Sequence, residues 1–139
     1  MRTPGELTQR LRDGGRKVTP QREAVVRALA GNAAHPTAEA VHAVVTAEMP
    51  NVSLRTVYQV LNDLTEMGEI QALDLGTGAA RFDPNVDAHH HLVCTRCGKV
   101  RDVEAAFGQV RVPAGAEQGF SVERADIVFR GRCGACRQA

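Results

Sequence analysis

Apolar positions recur at helical spacing in three stretches of the first half of the chain. In "RKVTPQREAVVRALAG", Val25, Val26 and Leu29 line one face, Thr19 can cap, Pro20 suits the first helical position, and Gly31 follows the last periodic residue. "HPTAEAVHAVVTAEMP" repeats the scheme, with Thr37 as cap, Glu39 at the positive helix end and Pro50 as closure. Val41, Val44 and Val45 are expected to be buried there. "NVSLRTVYQVLNDLTEMGEI" strings Val57, Val60, Leu61 and Leu64 into a stripe, capped by Ser53 and ended by Gly68. Its opposite face carries Leu54, Arg55, Tyr58 and Gln59. The period then shortens to two, because "EIQALDLGTGAARFD" alternates on both sides of Gly76-Thr77-Gly78 and so predicts a β-hairpin. Helices followed by a hairpin outline a winged helix-turn-helix.

Beyond Pro84 and Asn85, a linker signal, the chain breaks into short alternating segments: "HHLVC", "KVRDV" and "FSVERADIVFRGRC". In the last of these Val122, Ile127 and Phe129 are expected to face inward, with an irregularity near Ala125. The expected class is α+β, with a winged helix-turn-helix domain over residues 1–83 and a small α/β domain over residues 84–139. The second domain has few large apolar groups and only a marginal core, so it needs a staple or a partner chain.

Composition changes this picture little. Of 139 residues, 43% are hydrophobic and 24% charged, which is ordinary for a globular chain. No apolar run nears the roughly 18 residues of a membrane span, and the first residues lack a signal-peptide core. A cytoplasmic protein without a membrane partner is expected. Net charge is only +1, yet residues 1–27 hold seven basic groups against three acidic ones. That surplus argues weakly for a polyanionic partner and equally for a solvated helix face.

All four cysteines fall in two pairs, Cys94-x-x-Cys97 and Cys133-x-x-Cys136. In a chain read as cytoplasmic, metal binding is favoured over disulfides. Two such knuckles suit a tetrahedral thiolate cage for a structural Zn²⁺, with Gly98 and Gly134 easing the turns beyond the ligands. A closed four-sulfur site has no position for substrate. A redox switch and an iron–sulfur cluster are the competing uses of the same thiols.

The histidines need a separate account. On a strand over residues 89–93, His89 and His91 point the same way and His90 the other. Asp83, Asp102 and His35 are candidate further ligands. A mixed imidazole–carboxylate shell suits Fe²⁺ or Mn²⁺, with zinc or copper competing on affinity.

These pieces together resemble the ferric uptake regulator family over nearly the whole chain. The resemblance is carried by "GRKVTPQREAVVRAL", "HPTAEAV", "VSLRTVYQVLNDLTEMGEI", "RFD", "HHHLVCTRCGKVRDVE" and "GRCGACRQA". It implies a homodimeric winged-helix repressor of double-stranded DNA with a pseudo-palindromic operator, an N-terminal DNA-binding domain and a zinc-stabilised C-terminal dimerisation domain. The family's structural-zinc pattern falls on Cys94, Cys97, Cys133 and Cys136. Its regulatory pattern, for Fe²⁺ or Mn²⁺, falls on His35, Asp83, His89, His91 and Asp102. Asp102 stands where iron-uptake members typically carry Glu, so the peroxide-sensing branch is the nearer match.

In that branch, Fe²⁺ and hydrogen peroxide oxidise ligand histidines, here His35 and His89, whereas Mn²⁺ gives an insensitive form. The resemblance also places Lys17, Arg55, Tyr58 and Gln59 at the DNA, with Arg55 and Gln59 departing from the residues usual there. A further metal site of some members is expected to be absent, because Ala88 and Ala125 occupy its positions. Pro113 and Gly115 are expected to shorten or break a helix that relatives form, and His42 and His90 match no ligand position.

Three rival readings follow. The nearest is an iron- or manganese-responsive uptake repressor of the same family. Two histidines and a carboxylate also match the facial triad of a non-haem iron oxygenase, although the candidates straddle two domains. The third is a zinc-binding interaction module with no regulatory metal.

Overall fold

Thr3 opens a helix through a reciprocal pair of bonds. The Glu6 N–H donates to the Thr3 hydroxyl oxygen at 3.2 Å, and the Thr3 N–H donates to the Glu6 carboxylate at 2.7 Å. This capping box starts α1 (Pro4–Asp13) in a computed structural model that describes residues 2–104 and 110–138. The chain divides into two units, Met1–Asp87 and Ala88–Ala139.

The first unit continues with α2 (Pro20–Leu29), α3 (Ala38–Glu48) and α4 (Leu54–Glu66). Thr19, Thr37 and Ser53 each cap the helix that follows by accepting the N–H of its third residue. Gly68, at φ 71°, takes the left-handed conformation just past α4 that a side chain would resist. Leu7, Leu11, Val25, Val26, Leu29, Val41, Val45, Val57, Val60, Leu61 and Leu64 are all buried in one core. Each contributes about 2 kcal/mol through its removal from water.

Val44 departs from expectation, being 59% exposed. Val41 and Val45 lie on the core-facing stripe, while Val44 is turned about 100° from Val45 around the helix and faces solvent.

After α4, β1 (Gln71–Leu73) pairs antiparallel with β2 (Arg81–Asp83), setting Gln71 opposite Asp83 and Leu73 opposite Arg81. Between them Gly76 and Gly78 hold positive φ, and the Asp74 carboxylate accepts the Gly76 N–H. Three core helices and this hairpin form the winged helix-turn-helix.

The basic surplus of residues 1–27 is largely neutralised within the unit. Asp63 of α4 receives Arg16 at 3.2 Å and Arg22 at 3.0 Å, and Glu66 receives Arg16 at 3.1 Å. Glu69, itself buried, takes Arg2 and Arg10. The positive charge this segment leaves at the surface is therefore smaller than its composition suggests.

The second unit is a sheet of order β4-β3-β5: β3 (His90–Cys94), β4 (Val100–Val103) and β5 (Val128–Gly131). β3 runs antiparallel to β4 and parallel to β5. A short helix, α5 (Gly134–Arg137), closes the described chain. Among its described apolar residues only Val93, Cys94 and Val100 are buried. Val122 and Phe129, expected inward, are exposed. Regular pairing on this segment begins only at Val128, so the alternation upstream of it has no sheet to orient it. No helix forms over residues 110–125, where Pro113 and Gly115 stand.

Candidate metal centre

Cys94 ends β3, Cys97 follows in the turn to β4, and Cys133 and Cys136 flank the start and middle of α5. Gly98, at φ 74°, permits the tight turn after the first pair, whereas Gly134 keeps ordinary helical backbone. None of the four is in a disulfide, and their sulfurs all lie within 4.8 Å of one another. Cys97 and Cys133 are 3.7 Å apart, and the edge of a tetrahedron with zinc–thiolate bonds is about 3.8 Å. The donor set therefore fits a tetrahedral thiophilic cation.

Electrostatics agree. The backbone N–H groups of Cys97 and Cys133 donate to Cys94 Sγ at 3.5 and 3.4 Å, which lowers that thiol to about 5. Cys133 is also lowered, chiefly by the Cys136 backbone N–H. Cys136 is pushed up to about 12, first by its hydrogen bond with Cys133. Four sulfurs this close cannot all ionise without a cation among them, and a divalent ion removes that conflict.

The nitrogen and oxygen donors occur in both units. In the first, His35 precedes Pro36 with φ 53°, a left-handed conformation uncommon for a residue with a side chain. The wing holds it there: the Arg81 guanidinium donates to the His35 carbonyl at 3.2 Å, and the Phe82 N–H to the Pro36 carbonyl at 3.0 Å. His35 Nε2 then lies 3.1 Å from Asp83 Oδ2, both side chains being almost wholly buried. Asp83 Oδ1 accepts the Asn85 N–H at 2.9 Å.

In the second unit the pairing of β3 and β4 sets His91 opposite Asp102. His89 and His91 share a side, their rings edge to face with centroids 4.6 Å apart. Asp102 Oδ1 is 3.2 Å from His89 Nε2 and 3.7 Å from His91 Nε2. Both imidazoles are buried and the carboxylate is partly so. In each unit, then, imidazole nitrogens and a carboxylate converge away from water, a hard and borderline donor set suited to a divalent cation. His90 faces elsewhere, its Nδ1 accepting the Ile127 N–H at 3.1 Å, and His42 Nε2 is 2.8 Å from the Val52 carbonyl.

The family model described as "Ferric uptake regulator family" matches residues 13–130. The chain belongs to the ferric uptake regulator family.

The peroxide-responsive repressor PerR of Staphylococcus epidermidis is 32% identical over 129 residues, covering 92% of this chain and 86% of its own. The Helicobacter pylori ferric uptake regulator, whose structure is described as having three functional metal binding sites, superposes with a TM-score of 0.77 at 21% identity, covering 99% of this chain and 96% of that one. A Pseudomonas aeruginosa ferric uptake regulator with manganese does so with a TM-score of 0.66 at 27% identity, over 91% of this chain and 96% of that one. As a member of the ferric uptake regulator family, the chain is a metal-dependent transcription regulator and not an enzyme, and the oxygenase reading lapses.

The outer face of α4 exposes Arg55, Tyr58 and Gln59, and Lys17 is exposed just before α2. Arg55 and Lys17 make no ion pair among the described residues, unlike Arg16 and Arg22 beside them. Sequence reasoning missed two participants. One was α1, although Thr3-Pro4-x-Glu6 is a capping-box signal. The other was Arg81, which pins His35 from the wing and has no sequence signature for that role.

Proposed function

We propose that the protein is a homodimeric transcriptional repressor that binds double-stranded operator DNA in the cytoplasm and senses hydrogen peroxide at its regulatory metal. Cys94, Cys97, Cys133 and Cys136 would hold Zn²⁺ as a staple for the second unit, whose own buried core is minimal. His35 and Asp83 from the first unit, with His89, His91 and Asp102 from the second, would hold Fe²⁺ or Mn²⁺. A cation shared in this way would select the state of the dimer in which paired α4 helices can meet two half-sites.

The observation that carries this reading is the buried carboxylate–imidazole pair His35–Asp83 in the DNA-binding unit. A carboxylate removed from water costs several kcal/mol unless a counter-charge meets it, and a divalent ion supplies one. Dimerisation is supported by the apolar groups the second unit leaves exposed, Leu92, Phe120, Val122 and Phe129, and by β5 standing at the edge of its sheet. Recognition would use Tyr58, Arg55 and Gln59 on base edges and Lys17 on phosphate. No helix among the described residues is long and apolar enough to cross a membrane.

Peroxide sensing is favoured by Asp102 at the last ligand position and by the likeness to the staphylococcal repressor. Fe²⁺ held by these residues would supply the redox chemistry for peroxide, whose net two-electron reaction converts one imidazole and hydrogen peroxide to 2-oxo-histidine and water. His35 and His89 are the ligands that would be modified, and an oxidised imidazole is a poorer donor, so the metal would be released. The Fe²⁺-loaded protein treated with micromolar peroxide should gain one oxygen on the peptides holding His35 or His89 and lose its DNA. Unchanged peptides with DNA still bound would instead assign the protein to metal-uptake regulation. That second reading draws on the likeness to the manganese-bound Pseudomonas regulator.

A further inference from the structure

The phenol of Tyr58 is not free on the face of α4. Its hydroxyl donates to Glu39 Oε1 at 3.0 Å, from a helix 19 residues earlier in the chain. Both partners stand on fixed backbone. Glu39 is in the first turn of α3, between buried Ala38 and buried Val41 and beside the Thr37 cap. Tyr58 stands between buried Val57 and Val60. Tyr58 is 36% exposed, so it presents a surface outward while its hydroxyl is held.

We propose that Glu39 is a positioning residue for DNA recognition: by binding the Tyr58 hydroxyl it fixes the ring, and leaves the ring rather than the hydroxyl to address the bases. This rests on the proposal that α4 reads DNA. A tyrosine held at both ends loses little further freedom on binding, so the contact favours a matched site without new interactions. With its hydroxyl engaged, the ring offers an apolar face suited to a thymine methyl group. The negative charge beside the reading face also opposes phosphate, which weakens binding to every duplex alike and leaves discrimination to the fixed ring. The phenol already carries the mark of the contact: the hydrogen bond to Glu39, then partial burial and the nearby charge, raise it above its ordinary value.

Tyr58 is the sole tyrosine and the chain has no tryptophan, so tyrosinate absorbance reports this contact directly. In the metal-loaded full chain, Glu39→Ala should bring the ionisation of Tyr58 back toward that of free tyrosine. Glu39→Gln, which keeps an acceptor without the charge, should fall between. An unchanged titration in Glu39→Ala would overturn the proposal.

The second arm uses the duplex that wild-type Mn²⁺-loaded protein enriches from a random pool, against a scrambled duplex of equal composition. Glu39→Ala should reduce the ratio of the two affinities by about three- to tenfold, the range of one net hydrogen bond. Tyr58→Phe should lose a similar factor, the double variant no more than either, and Glu39→Gln should recover most of it. A ratio unchanged in Glu39→Ala, or a Gln variant as poor as Ala, overturns the positioning role while leaving DNA binding intact. If the wild type enriches no sequence, the reading of α4 fails, and this inference with it.

Discussion

His35 Nε2 and Asp83 Oδ2 lie 3.1 Å apart, although the residues are 48 positions apart in sequence. The wing makes that contact: β2 delivers Asp83 at its last residue, while Arg81 and Phe82 of the same strand grip the segment carrying His35. A tripeptide, "RFD", thus supplies one candidate ligand and the clamps for another.

Replacing Asp83 should expose that arrangement. Asp83→Asn is nearly isosteric and preserves the fold, but removes the charge that a divalent cation meets. Mn²⁺ affinity at the regulatory site should fall by at least the roughly 10- to 100-fold typical of losing an outer partner. The change can be read by competition with a chelator. Undiminished affinity would show that Asp83 is not a ligand of that site.

Zinc removal should act on one unit. The free energy of a structural thiolate site, about 10–16 kcal/mol in peptides, matches or exceeds the stability of a whole domain. Cys136→Ser should therefore lower bound zinc by one equivalent per chain and unfold the second unit. Helices α1 to α4 persist, so hydrogen exchange should show protection lost over His90–Val103 and kept over Val57–Leu64.

Two aliphatic residues in the first unit should behave oppositely under truncation. Leu61→Ala empties a wholly buried position and should cost about 2–5 kcal/mol in urea unfolding. Val44→Ala, at an exposed position, should stay within about 0.5 kcal/mol of wild type. Equal costs would mean that α3 packs with another face.

The start of α1 should loosen in acid. The Thr3 backbone N–H, then the Thr3 hydroxyl, hold the Glu6 carboxyl below its ordinary value. Because the folded state lowers this group, its stabilising effect is present above the unfolded value and is lost as pH falls through the folded one. The amide shift of Thr3 should follow that single low titration, and Glu6→Gln should abolish it. A Thr3 amide that titrates at the ordinary glutamate value would refute the capping bond.

Much of the fold was legible because its signals are local. A cap, a proline at the first turn and a following glycine act within one or two helical turns, so Thr19, Thr37 and Ser53 identified the starts of α2, α3 and α4 without tertiary information. The cysteine knuckles were equally plain, since spacing alone turns two sulfurs toward one point. Periodicity could not choose between adjacent valines, and Val44 was misassigned for that reason. It also failed in "FSVERADIVF", where alternation has meaning only if a neighbouring strand pairs with it. Sequence by itself therefore determined α2, α3, α4, the hairpin and the two cysteine knuckles, all of which depend on contacts a few residues apart. Only tertiary structure decided which arginines remain free, where the His35 backbone is held, and what the Tyr58 hydroxyl binds. Those are pairwise distances across tens of residues, and such distances exist only once the core has set the helices against one another.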